Sequence, residues 1–423
     1  MRRKRTLAAL LAVLTLLPLT GCWDRTELEE AAFVLAIGVD KGKESIYTVT
    51  FAIAHPGRMA GGGKGGGGGG GGGGGEDEKP LVVTSVEAPT VAAAISMADT
   101  YLSRQVSLRH TKALFMGEEL ARISGMFTMD EFVRFRQARR TMFYIVTKGK
   151  ASDFLSDMKP ELEKDPQRFI EQMTYNVRYT GMIPSASQIQ HFVTQVNTGY
   201  TEPITYYAAL KEEDEEKGAK ATGLTDSGYM AGELPRTGGA NIELLGGAAF
   251  KGEHMVGILN GEDMRMVLLL QDKFKRGLFS IADPRRPEVF VSMEIHQGRP
   301  LRIDTDLSGP RPRIHALVTL EGELLSIQSA NDYTEPELQA ELERATVAAI
   351  EGRMITLVRK TQEWNTDAVG FGESVVKEFP TVAAWENYRW PDRYRDAEIK
   401  VDVRFTLRRF GKQLSPPRPR TEQ

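Results

Sequence analysis

The chain has 423 residues, 41% of them hydrophobic and 26% charged, with a formal net charge of −3 and a single cysteine. That length and apolar content suffice for two or three packed domains. The slight acidity gives the chain as a whole no pull toward nucleic acid, and one cysteine excludes both a disulfide framework and a thiolate zinc site.

The N-terminus reads "MRRKR" and then "TLAALLAVLTLLPLTG", the cationic-then-apolar order of a secretory leader. The apolar run falls short of the roughly twenty residues a transmembrane helix needs. An ordinary leader cut at a small residue would leave Cys22 as a free thiol. "LTGC", residues 19–22, instead resembles the lipobox of bacterial lipoproteins and explains leader and lone cysteine together. In that reading residues 1–21 are removed and the Cys22 sulfur is acylated. Two or more chains on one residue hold a protein stably at a bilayer, each buried CH₂ contributing about 0.8 kcal/mol. Loss of Arg2, Arg3, Lys4 and Arg5 with the leader takes the net charge from −3 to −7. Membrane attachment is therefore expected to come from the lipid and not from the charge of the body.

Beyond the anchor, residues 33–40 (FVLAIGVD) and 46–54 (IYTVTFAIA) are rich in β-branched and aromatic residues and flank a short glycine-containing turn, predicting an antiparallel hairpin. Residues 56–80 contain eleven consecutive glycines at 65–75, which have no side chains to offset their ordering entropy and predict a flexible loop. A strand at 81–89 and a helix at 90–105 follow, with Ala92, Ile95, Ala98 and Leu102 on one face. Residues 111–117 read as a strand, 118–125 and 130–137 as helices, and 141–158 as a strand and a helix. From 165 to 196 the pattern is mostly helical, and 203–210 (PITYYAAL) is a strand. Residues 211–240 mix a charge run with glycines and are expected to be a solvated loop.

Residues 242–271 read as strand, turn, strand and a helix capped near Asn260, with Glu262 and Asp263 in its first turn. Three alternating segments, 288–298, 301–307 and 313–328, predict strands with one buried face. A long helix at 335–361 carries Leu338, Leu342, Ala345, Ala349, Met354 and Leu357 as its core stripe. A strand at 399–411 precedes a Pro-rich tail, 413–423, expected to be disordered. The fold class is α+β, with mixed and antiparallel sheets packed by helices. The expected division is an N-terminal domain over 22–200, a middle domain over 201–285 and a C-terminal domain over 286–412.

The six histidines, His55, His110, His191, His254, His296 and His315, never fall at metal-ligand spacing, and no nucleophile elbow or phosphate loop is present. His110, beside Arg109, is the candidate base, and a hydrogen-bonded structural role suits it better. No catalytic residue, metal site or cofactor other than the lipid on Cys22 is expected.

The block "GCWDRTELEEAAFVLAIGVDK" resembles the mature N-terminus of the Ger(x)C spore germination lipoproteins, the C subunits of germinant receptors. Similar correspondence runs through "RHTKALFMGEELAR", "AAFKGEHMVGILNGED" and "TDAVGFGESVVKEFP", with Trp385 and Trp390 downstream. The glycine loop and residues 211–239 depart from the pattern as insertions. The resemblance implies three α+β domains, no catalytic site, and lipidation at Cys22, with Trp23, Asp24 and Gly38 in shared structural motifs. It also implies a lipoprotein on the outer face of the spore's inner membrane, acting beside two integral-membrane subunits in the nutrient response. The alternatives are a solute-binding lipoprotein of a transporter, whose usual two lobes of parallel strand-helix units the early hairpin disfavours, and a cell-wall hydrolase whose catalytic groups cannot be located.

Overall fold

The computed structural model describes residues 28–55, 81–158, 166–176, 179–211, 228–329 and 331–411. The leader, Cys22, the glycine run and the Pro-rich tail lie outside the described residues. β1 (Ala31–Lys41) and β2 (Tyr47–Ala54) form the expected hairpin, with Ile37 opposite Phe51 and Val39 opposite Val49. Its turn closes where the Gly42 N–H donates to Ile46 O at 3.0 Å. β3 (Leu81–Ala88) pairs outside β2, and its Glu87 carboxylate accepts the Glu44 and Ser45 N–H groups, fixing the turn from the neighbouring strand.

On the other side of β1 the chain adds parallel strands. β4 (Gln105–Ser107) and β5 (Ala113–Gly117) both lie beside β1, β6 (Phe143–Thr147) beside β5, and β7 (Ile204–Leu210) beside β6. β8 (Ile242–Lys251) and β9 (His254–Leu259) continue the row antiparallel. The connections carry α1 (Val91–Ala98), α2 (Glu118–Ile123), α3 (Met126–Arg134), α4 (Ala151–Asp157), α5 (Pro166–Asn176) and α6 (Ile189–Thr198). Central strands of such a sheet are buried on both faces, which is why β1, β5 and β6 read as nearly continuous apolar runs. Val34, Leu114 and Tyr144 face α1, α2, α3 and α6, while Leu35, Phe115 and Ile145 face α4 and α5.

α7 (Gly261–Leu270) leads to a second sheet, ordered β10 (Arg276–Ala282), β11 (Phe290–Asp306), β12 (Arg313–Ile327) and β13 (Glu398–Arg409), the last pair parallel. α8 (Pro336–Glu363) lies across it. Its buried apolar residues, Leu342, Ile350, Met354, Leu357 and Val358, with Thr346 and Thr361 on the same buried face, share one core with Val318, Leu320, Val403 and Phe405. Full burial of each aliphatic side chain there contributes roughly 1.5–3 kcal/mol.

Several expectations shift. The helix expected over 90–105 ends at Ala98, because the Asp99 carboxylate turns to accept the Val106 N–H at 2.7 Å and starts the unexpected β4; its buried face is Val91, Ala94 and Ala98, with Ala92 exposed. The strands expected at 288–298 and 301–307 are one strand, β11. The register slips around Arg299 accommodate Gly298 and Pro300 without ending it. In α8, Ala345 and Ala349 are only half-buried, and Thr346 and Ile350 occupy the stripe.

Within the expected solvated loop, residues 228–241 pack: Ala231 is buried, and the β8 carboxylate Glu243 accepts the Gly232 N–H at 2.6 Å and Arg236 Nε at 2.9 Å. A buried carboxylate needs such donors, and this segment supplies them. The first sheet also runs through residue 200 without a break, since β7, β8 and β9 extend it.

A bulge sets the register between β7 and β8, where pairing steps from Tyr206 opposite Gly247 to Ala208 opposite Leu244. Gly246 inside it has φ +79°, and a Cβ there would stand 2.1 Å from Leu259 O. Gly246→Ala is expected to lower stability by about 2 kcal/mol or more; an unchanged urea midpoint would contradict this account of the bulge.

Candidate functional site: a buried carboxylate joint

The residues singled out from the sequence do not assemble into a reaction centre. Cys22, Trp23 and Asp24 lie outside the described residues. His110 is exposed, its ring edge-on to Phe33 at 4.9 Å. His315 Nε2 stands 2.7 Å from Asp402 Oδ2, a carboxylate that also accepts from Lys400 Nζ at 2.8 Å. Among the described residues no three His, Cys, Asp or Glu side chains gather as metal ligands.

Gly38 has a packing role. A Cβ on it would lie 3.0 Å from Leu155 Cδ1 and 3.2 Å from Ala151 Cβ, so its absence lets α4 settle on β1. Two residues on, the buried Asp40 accepts the Ala151 N–H at 2.7 Å and the Ser152 N–H at 2.9 Å, capping α4 from another strand where Lys150 supplies no cap. Gly117 at the end of β5 leaves the space for it, since a Cβ there would lie 2.1 Å from Asp40 Oδ1. Desolvation raises the Asp40 pKa above the usual carboxylate value, against the pull of the two N–H donors.

The second carboxylate, Asp367, joins the two halves of the molecule. After α8 the chain reverses through Asn365 at φ +52°, and Thr366 Oγ1 donates to Phe250 O at the end of β8. The buried Asp367 side chain then gathers four donors. Oδ1 accepts from Gly370 N at 2.9 Å and Phe371 N at 3.0 Å, and Oδ2 accepts from Gly372 N at 2.7 Å and Trp390 Nε1 at 2.8 Å. Gly370 and Gly372 are required by this geometry: the first has φ +84°, and a Cβ on the second would lie 2.1 Å from Tyr200 O. The loop so held leads into the short helices α9 (Gly372–Val375), α10 (Val382–Tyr388) and α11 (Trp390–Arg393).

The backbone of the same loop fastens the approach to β7. Asp367 O accepts from Glu202 N and Thr201 Oγ1, each at 3.2 Å, and Ala368 O accepts from Gln271 Nε2 at 2.9 Å. Trp364 covers Gly257 of β9, whose missing side chain makes room for the ring. Lys360 Nζ pairs with Asp263 Oδ2 at 2.6 Å and Arg353 with Glu262, tying α8 to α7; Asp263 also completes the capping box with Asn260. Trp385 packs against Tyr200 with ring centroids 5.7 Å apart.

Burial pushes the Asp367 pKa up to about 6, against four donors that favour the anion. Desolvation also raises Glu202, whose carboxylate accepts the Gly252 N–H and feels the Asp367 charge. The Asp367 carboxylate accepts from four donors, which makes it a fastener. Asp367 lies in the segment TDAVGFGESVVKEFP and is not among the residues the sequence singles out. The available signal was an acid followed at three and five residues by glycines, a carboxylate gathering backbone N–H groups.

The comparisons with known proteins follow the same two halves. Residues 24–210 match the family described as "Spore germination protein N-terminal domain", and residues 245–411 match "Spore germination B3/ GerAC like, C-terminal". The chain belongs to the Ger(x)C family of spore germination proteins. Ger(x)C relatives include spore germination protein KC of Bacillus subtilis (strain 168), 26% identical over 98% of each chain. Putative spore germination protein YfkR of the same organism is 25% identical over 97% of this chain and 98% of its own. The crystal structure of the GerBC protein is similar at 15% identity, with a TM-score of 0.49 over 91% of this chain and 99% of that one. In this Ger(x)C chain the joint falls between β7, inside the first match, and the Asp367 loop, inside the second.

Asp367→Asn puts an amide NH₂ against two donors and is expected to cost roughly 2–4 kcal/mol. Because burial raises the folded-state pKa above the ordinary carboxylate value, the folded protein holds this proton more tightly. The stabilising contribution of Asp367 is therefore full below about pH 4 and is lost as pH rises through about 6. Urea titrations across that window should show this falling component in the wild type and not in Asp367→Asn; parallel curves would refute the assignment.

Proposed function

We propose that the chain is the lipid-anchored, non-enzymatic C subunit of a nutrient germinant receptor. Family membership gives it a role in germination, in association with the spore membrane and with other receptor subunits. The observation that carries the reading is the pair of family matches, in order, over both halves of the chain. In the finer reading Cys22 bears the acyl chains, the body stands on the outer face of the spore's inner membrane, and two integral-membrane subunits are its partners. The leader followed by "LTGC" supports the anchor, and no helix among the described residues is long and apolar enough to cross a membrane.

The buried polar groups suit a relay body better than a catalyst. Asp40 and Asp367 are committed to backbone N–H donors, and the buried Asp283 is held by Ser329, Tyr333 and the Arg285 and Arg286 N–H groups. A body fastened in this way passes a displacement at one partner contact to another, because the Asp367 joint resists bending between its halves.

Spores carrying Cys22→Ala are expected to lose the protein from the membrane fraction and to respond more weakly to nutrients. Full nutrient germination by spores whose variant is wholly soluble would sink the proposal. Mass spectrometry of the native protein should find an acylated cysteine at the mature N-terminus.

A further inference from the structure

We infer that the end of the first sheet at which its parallel strands begin is a docking face for anionic lipid headgroups. The inference rests on the reading of Cys22 as the lipid anchor and adds an orientation to it. β1, β4, β5 and β6 run parallel, so the segments preceding them meet at one end of the sheet. The segment before β4 carries Arg104, that before β5 carries Arg109, and that before β6 carries Arg136, Arg139 and Arg140. Arg104 is half-buried and the other four are exposed.

These segments are tied to one another and to β1. Phe143 N–H donates to Lys112 O at 2.8 Å, Lys112 N–H to Leu35 O at 2.9 Å, and Leu108 N–H to Gln137 Oε1 at 3.2 Å. The His110 ring against Phe33 places the β5 segment beside the start of β1.

Some surface arginines elsewhere are engaged, Arg122 with Glu118, Arg134 with Asp130, Arg285 with Glu341 and Arg408 with Glu321, while exposed Arg344, Arg359 and Arg404 stand singly; what marks this end is that its arginines come together. None of the five arginines at this end has a side-chain hydrogen bond or ion pair with another described residue. The described acids in the segments before β1, β4, β5, β6 and β7 are Glu29, Glu30, Asp99, held by the Val106 N–H, and Glu202, against the five arginines and Lys112, which pairs with Glu171.

The tether ends at this face. Cys22 precedes Leu28 by six positions, at most about 20 Å of extended chain, and residues 28–30 lead directly into β1. A body moored that closely must bring the strand-start end toward the headgroups. A basic patch is also the usual complement to acyl chains at an anionic leaflet, each arginine near the surface strengthening attachment roughly five-fold. The rest of the acidic body is repelled by the same leaflet, so charge selects one orientation.

The test uses the full-length lipidated protein with His110→Cys labelled by an environment-sensitive fluorophore; the native cysteine is acylated and does not react. The protein is placed in phosphatidylcholine vesicles and in mixed phosphatidylcholine–phosphatidylglycerol vesicles. The expected result is a blue-shifted emission only with phosphatidylglycerol, lost at about 0.5 M salt and lost in Arg109→Glu/Arg139→Glu/Arg140→Glu. It should be retained in Arg404→Glu/Arg408→Glu/Arg409→Glu, which changes the net charge equally on β13.

Equal emission in both vesicle types, or a shift indifferent to the first triple variant, overturns the docking face and leaves an acidic protein surface as the occupant to seek. Flotation in high salt reads the anchor separately. Protein that fails to float with either vesicle refutes the Cys22 reading, whereas protein that floats without a charge-dependent shift refutes docking alone.

Discussion

The structure depends on one electrostatic constraint: a carboxylate taken out of water must be given donors, and Asp367 obtains all of its donors from the residues it organises. Three backbone N–H groups and the Trp390 indole converge on it, so the loop between α8 and α9 can adopt no other path without stranding a charge. The same loop reaches across to Thr201 and Glu202 ahead of β7. Removing an acceptor therefore does more than loosen a turn, because Phe371, Gly372 and Trp390, whose N–H groups it served, are themselves buried. The raised pKa is the residue of that contest, desolvation having outweighed the donors.

That joint governs how the two family-matched halves behave. A sheet of mixed strands and a sheet packed by one long helix could have been beads on a string. Instead Trp364 fills the space over Gly257, α8 is ion-paired to α7, and Thr366 donates to the end of β8. These contacts are close, directional and distributed over three elements, so bending at the seam would break several at once.

The sequence carried the parts of this fold that depend on local periodicity. The hairpin was legible because two runs rich in β-branched and aromatic residues flank a glycine-containing turn, and α8 because its apolar residues repeat at about four. β4 was missed because three residues make no pattern and its start is set by a side chain, Asp99, seven positions earlier. The packing of residues 228–241 was missed because a polar, glycine-rich stretch reads as solvated unless one knows that Glu243 is buried beside it. The candidate site was hidden for the same reason. The Asp367 side chain takes three donors from the next five residues, but what fastens the halves is distant: its carbonyl accepts from Thr201, 166 residues away, as the Asp40 carboxylate accepts from Ala151, 111 residues away.

Charge shows the same limit from the other side. The whole-chain balance, −3 with the leader and −7 without it, says that the body has no attraction to an anionic surface. Topology contradicts the average. Parallel strands require every crossover to return to the same end before the next strand begins, so whatever stands just before β1, β4, β5 and β6 is collected into one place. Arginines stand before β4, β5 and β6, and the acids Glu29 and Glu30 before β1. Net charge is a sum over residues, whereas a surface potential is a sum over positions, and only the fold supplies the positions.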